Sequence, residues 1–213
     1  MKRFIALFIA LMLVCVCALA EEQSDLEAFK HEYEILNGQS DWEGTHTYKE
    51  ITIPDDLNVV VTDLAGATEL LRDCTGIFYF GFPECPWCRT LVPVLIEAIE
   101  TSGYDGILYC CNALYDRDYL SLDDDGNVVV ESEGTAEYTA FLEEYGEYFS
   151  QYEGFDESVR RLYFPTTCFM KDGEFVYVHV DTIEGQVEGT DELTDEQHDT
   201  LLNLLMDCIE SIR

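Results

Sequence analysis

Gly76-Ile77-Phe78-Tyr79-Phe80-Gly81-Phe82-Pro83-Glu84-Cys85-Pro86-Trp87-Cys88 passes without a break from an apolar, aromatic stretch of strand length into a Cys-x-x-Cys motif. A run such as Gly76 to Phe82, apolar at almost every position, suits a central strand buried on both faces. Beyond Cys88 the period changes. Leu91, Val92, Leu95, Ile96 and Ile99 recur at helical spacing to about Thr101, and Ser102-Gly103 closes the segment. The motif therefore stands where a buried strand hands over to a helix, with Pro86 at the first helical position, where an N–H would go unpaired anyway. A cysteine at that junction meets unpaired N–H groups and the positive end of the helix dipole, both of which stabilise a thiolate. Cys85 is thus the expected attacking thiolate. Cys88, one turn on, is the thiol that resolves a mixed disulfide or completes the oxidised pair.

On either side the chain reads as alternating elements. Residues 21–57 form an acidic leader with a helix on Leu26, Phe29, Tyr33 and Leu36, stopped by Asn37-Gly38. Residues 58–213 form the main domain. Its first strand is Asn58 to Thr62, followed by a short helix with Leu70 and Leu71 inward, and Ile107 to Cys111 makes a strand after the long helix. Strand, helix and strand at these intervals predict a βαβ unit and a partly parallel sheet. From about 114 to 162 the pattern departs from this alternation and reads as an insertion. Leu120 to Leu122 and Val128 to Val130 flank the turn Asp123-Asp124-Asp125-Gly126-Asn127 as a hairpin, and Thr135 opens an amphipathic helix to about Gln151. Thr166 to Met170 and Glu174 to Val180 make a second hairpin around Lys171-Asp172-Gly173. Thr194 with Gln197 is a capping box for a final helix burying Leu201, Leu202, Leu205, Cys208, Ile209 and Ile212.

Glu84-Cys85-Pro86-Trp87-Cys88-Arg89-Thr90-Leu91-Val92-Pro93 resembles the active-site helix of the thioredoxin-like superfamily, including the base after the second cysteine and the proline five residues beyond it. Phe164-Pro165-Thr166-Thr167-Cys168-Phe169-Met170-Lys171-Asp172-Gly173-Glu174 is similar to the segment of that family that begins at its cis-proline. The layout as a whole also resembles secreted thioredoxin-like proteins of Gram-positive bacteria, some described as bacteriocin-associated accessory proteins. The resemblance implies an α/β, thioredoxin-like fold: a central mixed sheet flanked by helices, with a hairpin-plus-helix insertion before the cis-proline strand. It further implies that Pro165 is the cis-proline packed against the cysteine pair, that Phe164 and Pro165 shape a peptide groove, and that Pro86, Trp87 and Arg89 support the site. Two departures matter. The buried acid that thioredoxins keep six residues before the first cysteine is Tyr79 here, so Cys88 needs another route for its proton. The Pro-Trp dipeptide is closer to glutaredoxin Pro-Tyr than to Gly-Pro, which points to a couple more oxidising than thioredoxin. Around Cys85 the helix N-terminus and Arg89 favour a thiolate while Glu84 and the overall negative field oppose it, which leaves the sign of the net shift open.

Lys2 and Arg3, the uncharged run from Phe4 to Ala20 and its ending Ala18-Leu19-Ala20 read as a signal peptide over residues 1–20, with an uncleaved anchor as the alternative. The protein is then exported, to the extracellular space or the cell envelope, and Cys15 and Cys17 leave with the signal. Against 44 acids stand 11 bases, a formal charge of −33, which excludes nucleic acid and anionic lipid as partners because both need clustered Lys and Arg. A hydrophobic content of 47% supports one core and a monomer. One Cys-x-x-Cys without a second pair, and the scattered His31, His46, His179 and His198, predict no metal site. In an EF-hand register the acidic turn puts Val128 where Gly is required and Gly134 where Glu is required. Cys74, Cys110, Cys111, Cys168 and Cys208 read as buried free thiols, with a Cys74–Cys208 bridge left open. Tyr138, Tyr145, Tyr148 and Tyr152 read as packing residues, although an insertion beside the cis-proline loop could also carry a recognition surface. Two function classes follow. One is an oxidoreductase whose only redox group is the Cys85–Cys88 disulfide, acting on protein or peptide thiols and disulfides with a membrane or extracellular redox partner. The other is a binding or accessory module in which that disulfide is structural.

Overall fold

The aromatic run lies at the centre of a five-stranded mixed sheet in the computed structural model, which describes residues 24–41 and 43–213. The segment 1–20 read as a signal peptide, with Cys15 and Cys17, lies outside the described residues. Helix α1 (Asp25–Glu34) begins at a capping box between Ser24 and Glu27. It is followed by β1 (Val59–Thr62), α2 (Leu64–Leu70), β2 (Gly76–Phe80), α3 (Pro86–Ser102) and β3 (Leu108–Cys111). Then come the hairpin β4 (Tyr119–Leu122) and β5 (Val128–Ser132), α4 (Ala136–Tyr145), β6 (Thr166–Lys171), β7 (Glu174–Val180) and α5 (Asp195–Ser211). The sheet order is β1-β3-β2-β6-β7, parallel among β1, β3 and β2 and antiparallel from β2 through β6 to β7. A mixed sheet flanked by helices in this order is compatible with a thioredoxin-like fold.

Because side chains of a strand alternate faces, β2 divides its residues between two cores. Ile77 and Tyr79 join the cluster built by α1, α3 and α5, whereas Phe78 and Phe80 join the one built by α2 and α4. Every residue of β2 is buried, which a strand covered on both faces requires. The block before β6 is part of this second core. Tyr138 and Phe141 of α4 are fully buried there, Phe141 packs edge-on to Phe80 at 5.5 Å, and the Tyr145 hydroxyl donates to Thr68 O at 3.0 Å. Only the hairpin β4–β5 stands apart, with Leu122, Val128, Val129 and Val130 exposed.

One expectation changes and one open question closes. The helix opened by Thr135 ends at Tyr145 rather than near Gln151: Gly146–Tyr148 tightens into a 3-10 turn, Phe149 turns extended to pack on Phe141 at 5.1 Å, and Gln151 bridges Arg160 instead. Cys74 and Cys208 belong to opposite faces of the sheet and are both free thiols, so no bridge joins them. Cys110 and Cys111 likewise divide between the faces, as neighbours on a strand must.

Arg89 ties the leader to the domain. Arg89 is 1% exposed, and among the described residues no carboxylate pairs with its guanidinium. It donates from Nε to Lys49 O, from Nη2 to Lys49 O and Asn37 Oδ1 (2.7 Å), and from Nη1 to Tyr33 O (3.0 Å) and Pro83 O (3.2 Å). The planar five-donor fork suits this divergent set of acceptors, and an ammonium could not reach them all. Replacing Arg89 with Leu leaves those acceptors buried and unpaired. We therefore expect the Arg89→Leu protein to lose about 3 kcal/mol or more of stability in urea unfolding, with Arg89→Lys recovering only part of it; a loss below about 1 kcal/mol would show that the leader docks without it.

Candidate functional site

Cys85 is the N-cap of α3. Its backbone is extended (φ −72°, ψ 120°), so the first turn begins at Pro86 and the cysteine sulfur faces the unpaired N–H groups. The sulfur accepts from Cys88 N at 3.3 Å and lies 3.9 Å from Phe164 O. Both motif cysteines are free thiols and buried, Cys85 at 5% exposure and Cys88 at 0%. Their environments push them apart. The Cys88 thiol beside it and the N–H groups of Cys88 and Trp87 hold Cys85 below the ordinary thiol range, overcoming burial and the nearby Asp181 carboxylate. Burial drives Cys88 well above that range, and the neighbouring Cys85 pushes the same way. The sign left open by the sequence is therefore settled downward for Cys85. Among the described cysteines it alone moves down: burial raises Cys110 and Cys168 strongly, Cys111 to about 12, and Cys74 and Cys208 to about 11. Those five are placed and protonated as packing thiols.

Phe164 comes against Cys85 through its carbonyl, and the peptide bond joining it to Pro165 is cis. Pro165 is buried, its carbonyl accepts from Asp181 N at 2.9 Å, and Phe164 packs edge-on to Phe82 at 5.5 Å. The cation that reaches this wall is Arg117. Its guanidinium lies 4.1 Å over the Phe164 ring and donates to Leu162 O at 3.2 Å. Burial and Arg161 disfavour its charge, while Tyr138 and Cys85 favour it, which places Arg117 within electrostatic range of the sulfur. Arg89, expected to play that part, directs its donors to backbone carbonyls and Asn37 and none to a sulfur.

The Pro86-Trp87 dipeptide is covered from the other side by the segment joining β7 to α5. Gly189 lies so close that an added Cβ would stand 2.8 Å from Trp87 N and 2.9 Å from Pro86 Cβ. This segment is tied down through its backbone. Gly189 O accepts from Thr90 Oγ1 at 3.1 Å, and Lys49 Nζ donates both to Thr90 Oγ1 (3.0 Å) and to Asp191 O (2.6 Å). Beside the dipeptide a cavity of about 480 Å³ is lined by Tyr48, Phe82, Glu84, Pro86, Leu114 and Tyr115 among others. Trp87 itself is half-buried against the α3–α5 core.

The fold thus brings Cys85, Pro86, Trp87, Cys88, Phe164 and Pro165 together, and holds Arg89 below them as a structural anchor. Arg117 and Gly189 escaped sequence reasoning because neither lies in a motif. No protein-family model matches the sequence, and no curated protein is found to resemble it.

Substituting Gly189 with Ala forces the β7–α5 segment off Pro86-Trp87 and strains its bonds to Thr90 and Lys49. We expect Gly189→Ala to lower the stability of the reduced protein by about 1–3 kcal/mol in urea unfolding, the range for overpacked sites. A neutral substitution would mean that the segment shifts without cost.

Proposed function

We propose that the chain is an exported thiol–disulfide oxidoreductase of the thioredoxin-like kind, exchanging a disulfide with protein or peptide thiols through Cys85 and Cys88. One observation carries this reading: Cys85 caps the N-terminus of α3 with a favoured thiolate, whereas burial raises the other described cysteines. A purely structural bridge has no need of a thiolate stabilised in this way. The mixed sheet and the Phe164-Pro165 segment beside the sulfur support the thioredoxin-like assignment, with the block between β3 and β6 as its insertion. Residues 1–20 support export on sequence pattern.

The chemistry requires only the substrate's own sulfurs. The Cys85 thiolate attacks a substrate disulfide, forming a Cys85–substrate mixed disulfide and expelling one substrate thiolate, which takes a proton from solvent. Cys88, deprotonated, then attacks Cys85 Sγ. The Cys85–Cys88 bond forms, the bond to the substrate breaks, and two electrons have passed from the pair to the substrate. The reverse sequence delivers the disulfide to a substrate dithiol, and a membrane or extracellular redox partner sets which way the cycle runs.

One observation favours a second reading, a binding or accessory module with a structural disulfide: Cys85 is only 5% exposed. Alkylation separates the two. Thiolate is the reacting form, so the rate rises with pH, and a lowered Cys85 shifts the midpoint below the ordinary thiol value of about 8.5. We expect iodoacetamide to react with the reduced protein along such a profile, Cys85→Ser to remove that component, and Cys85→Ser or Cys88→Ser to abolish catalysed insulin reduction. A midpoint at or above about 8.5 without catalysis would establish the module instead.

A further inference from the structure

Cys88 has to lose a proton before it can attack, yet it is fully buried and held strongly protonated. The hydroxyl that lies beside it is that of Tyr79, from the strand that precedes the motif. An ideal Cβ placed on Gly81 would overlap the Tyr79 hydroxyl and stand 3.0 Å from Cys88 Sγ, so those two atoms share the space that only a glycine leaves open. The Tyr79 hydroxyl in turn hydrogen-bonds the hydroxyl of Tyr33 at 2.7 Å, and either can be the donor. Tyr33 comes from α1 in the leader, and Arg89 of α3 holds its carbonyl. Both rings are buried, Tyr33 at 2% and Tyr79 at 1% exposure, and both line a pocket of about 310 Å³ with Glu32, Asp63 and Gly81. The pocket is large enough for several waters.

We propose that Tyr79 and Tyr33 form the proton route of Cys88, linking its buried thiol to the pocket between α1 and the ends of β1, β2 and β3. The inference rests on the redox reading of Cys85 and Cys88. As Cys88 attacks the mixed disulfide, its proton passes to the Tyr79 oxygen, the Tyr79 proton passes to the Tyr33 oxygen, and the Tyr33 proton leaves to water in the pocket. The Cys85–Cys88 bond forms as the Cys85–substrate bond breaks, and the departing thiolate is protonated from solvent. In the opposite direction the same hydroxyls return a proton to Cys88 as it leaves. Burial, Cys88 and Tyr33 keep the Tyr79 hydroxyl protonated, and burial and Cys88 do the same for Tyr33, so neither is a standing base. Each receives one proton as it gives up another, which avoids a buried charge. Tyr79 exchanges the proton with the reacting sulfur and is catalytic in this scheme; Tyr33 is a positioning and exit residue.

Ellman's reagent resolves the two halves of the reaction. With the reduced protein, the first release of thionitrobenzoate reports Cys85 attack and the second reports Cys88 closing the disulfide. In Tyr79→Phe the second phase is expected to slow by about 10-fold or more, with the first phase within about twofold of the parent. Tyr33→Phe is expected to slow the second phase by a smaller factor, and the solvent deuterium isotope effect on that phase is expected to fall in both variants. An unchanged first phase also shows that a variant is folded; should Tyr79→Phe lose it, Tyr33→Phe decides. A second phase of parental rate and isotope effect in the folded variants would overturn the proton route and leave the redox reading intact. A parent protein that gives no fast first phase would remove the redox reading itself, and the proton route with it.

Discussion

Strand β2 is buried on both faces, and its alternation of side chains governs both the core and the site. Phe78 and Phe80 point into the layer under α2 and α4, where Phe141 and Phe149 complete an aromatic cluster. Ile77 and Tyr79 point the other way, into the layer that holds α3 and both motif cysteines. A slip of one residue would exchange the two sets, sending a phenylalanine under Cys88 and a hydroxyl into an apolar layer with no partner at hand. The end of β2 also fixes where α3 begins. Gly81 admits the Tyr79 hydroxyl, Pro83 offers its carbonyl to Arg89, and Cys85 arrives extended at the helix start.

Local geometry outweighs global charge at this site. A formal charge of −33 would by itself disfavour any thiolate. Most of those carboxylates sit on the surface, however, and charges more than about 10 Å away are largely screened at ordinary ionic strength. What acts on Cys85 is close at hand: the Cys88 thiol, two backbone N–H groups and Asp181. The first three prevail because they point at the sulfur from within hydrogen-bonding range in a buried setting, where each interaction counts for more than it would in water. Arg117 adds a base from outside the motif, and it can do so because α4 and the chain around it pack against the sheet and do not stand off as an appendage.

Much of this organisation can be read along the chain. The apolar run of β2, the helical period after Cys88, the βαβ order, both hairpins and the Thr194–Gln197 cap all depend on contacts between residues near in sequence, whose patterning survives as a readable period. The helix opened by Thr135 was legible at its start and not at its end: Thr135 caps Tyr138 N locally, whereas the stop near Gly146 accompanies the packing of Phe149 on Phe141 and on Phe80 of β2, which is distant in sequence. Cys110 and Cys111 were legible as packing thiols because strand neighbours must face apart, a rule of the backbone alone, whereas the Cys74–Cys208 question needed the two faces of the sheet to be assigned.

The motif Cys85-Pro86-Trp87-Cys88 and its place between strand and helix are properties of the sequence by itself, because a helix start is a local event. Which groups surround that motif was decided only by tertiary structure. Arg89 adjoins Cys88 in sequence yet turns to the leader, while Arg117, Gly189 and Tyr33 lie far off in sequence and close in space. Tyr79 stood out in the sequence as a missing acid, but its meaning depends on Tyr33, a partner 46 residues earlier that no local pattern connects to it. Local hydrogen bonding and side-chain period are encoded in neighbours. The environment of a buried sulfur is the sum of whatever the fold brings within a few ångströms, and no spacing along the chain records it.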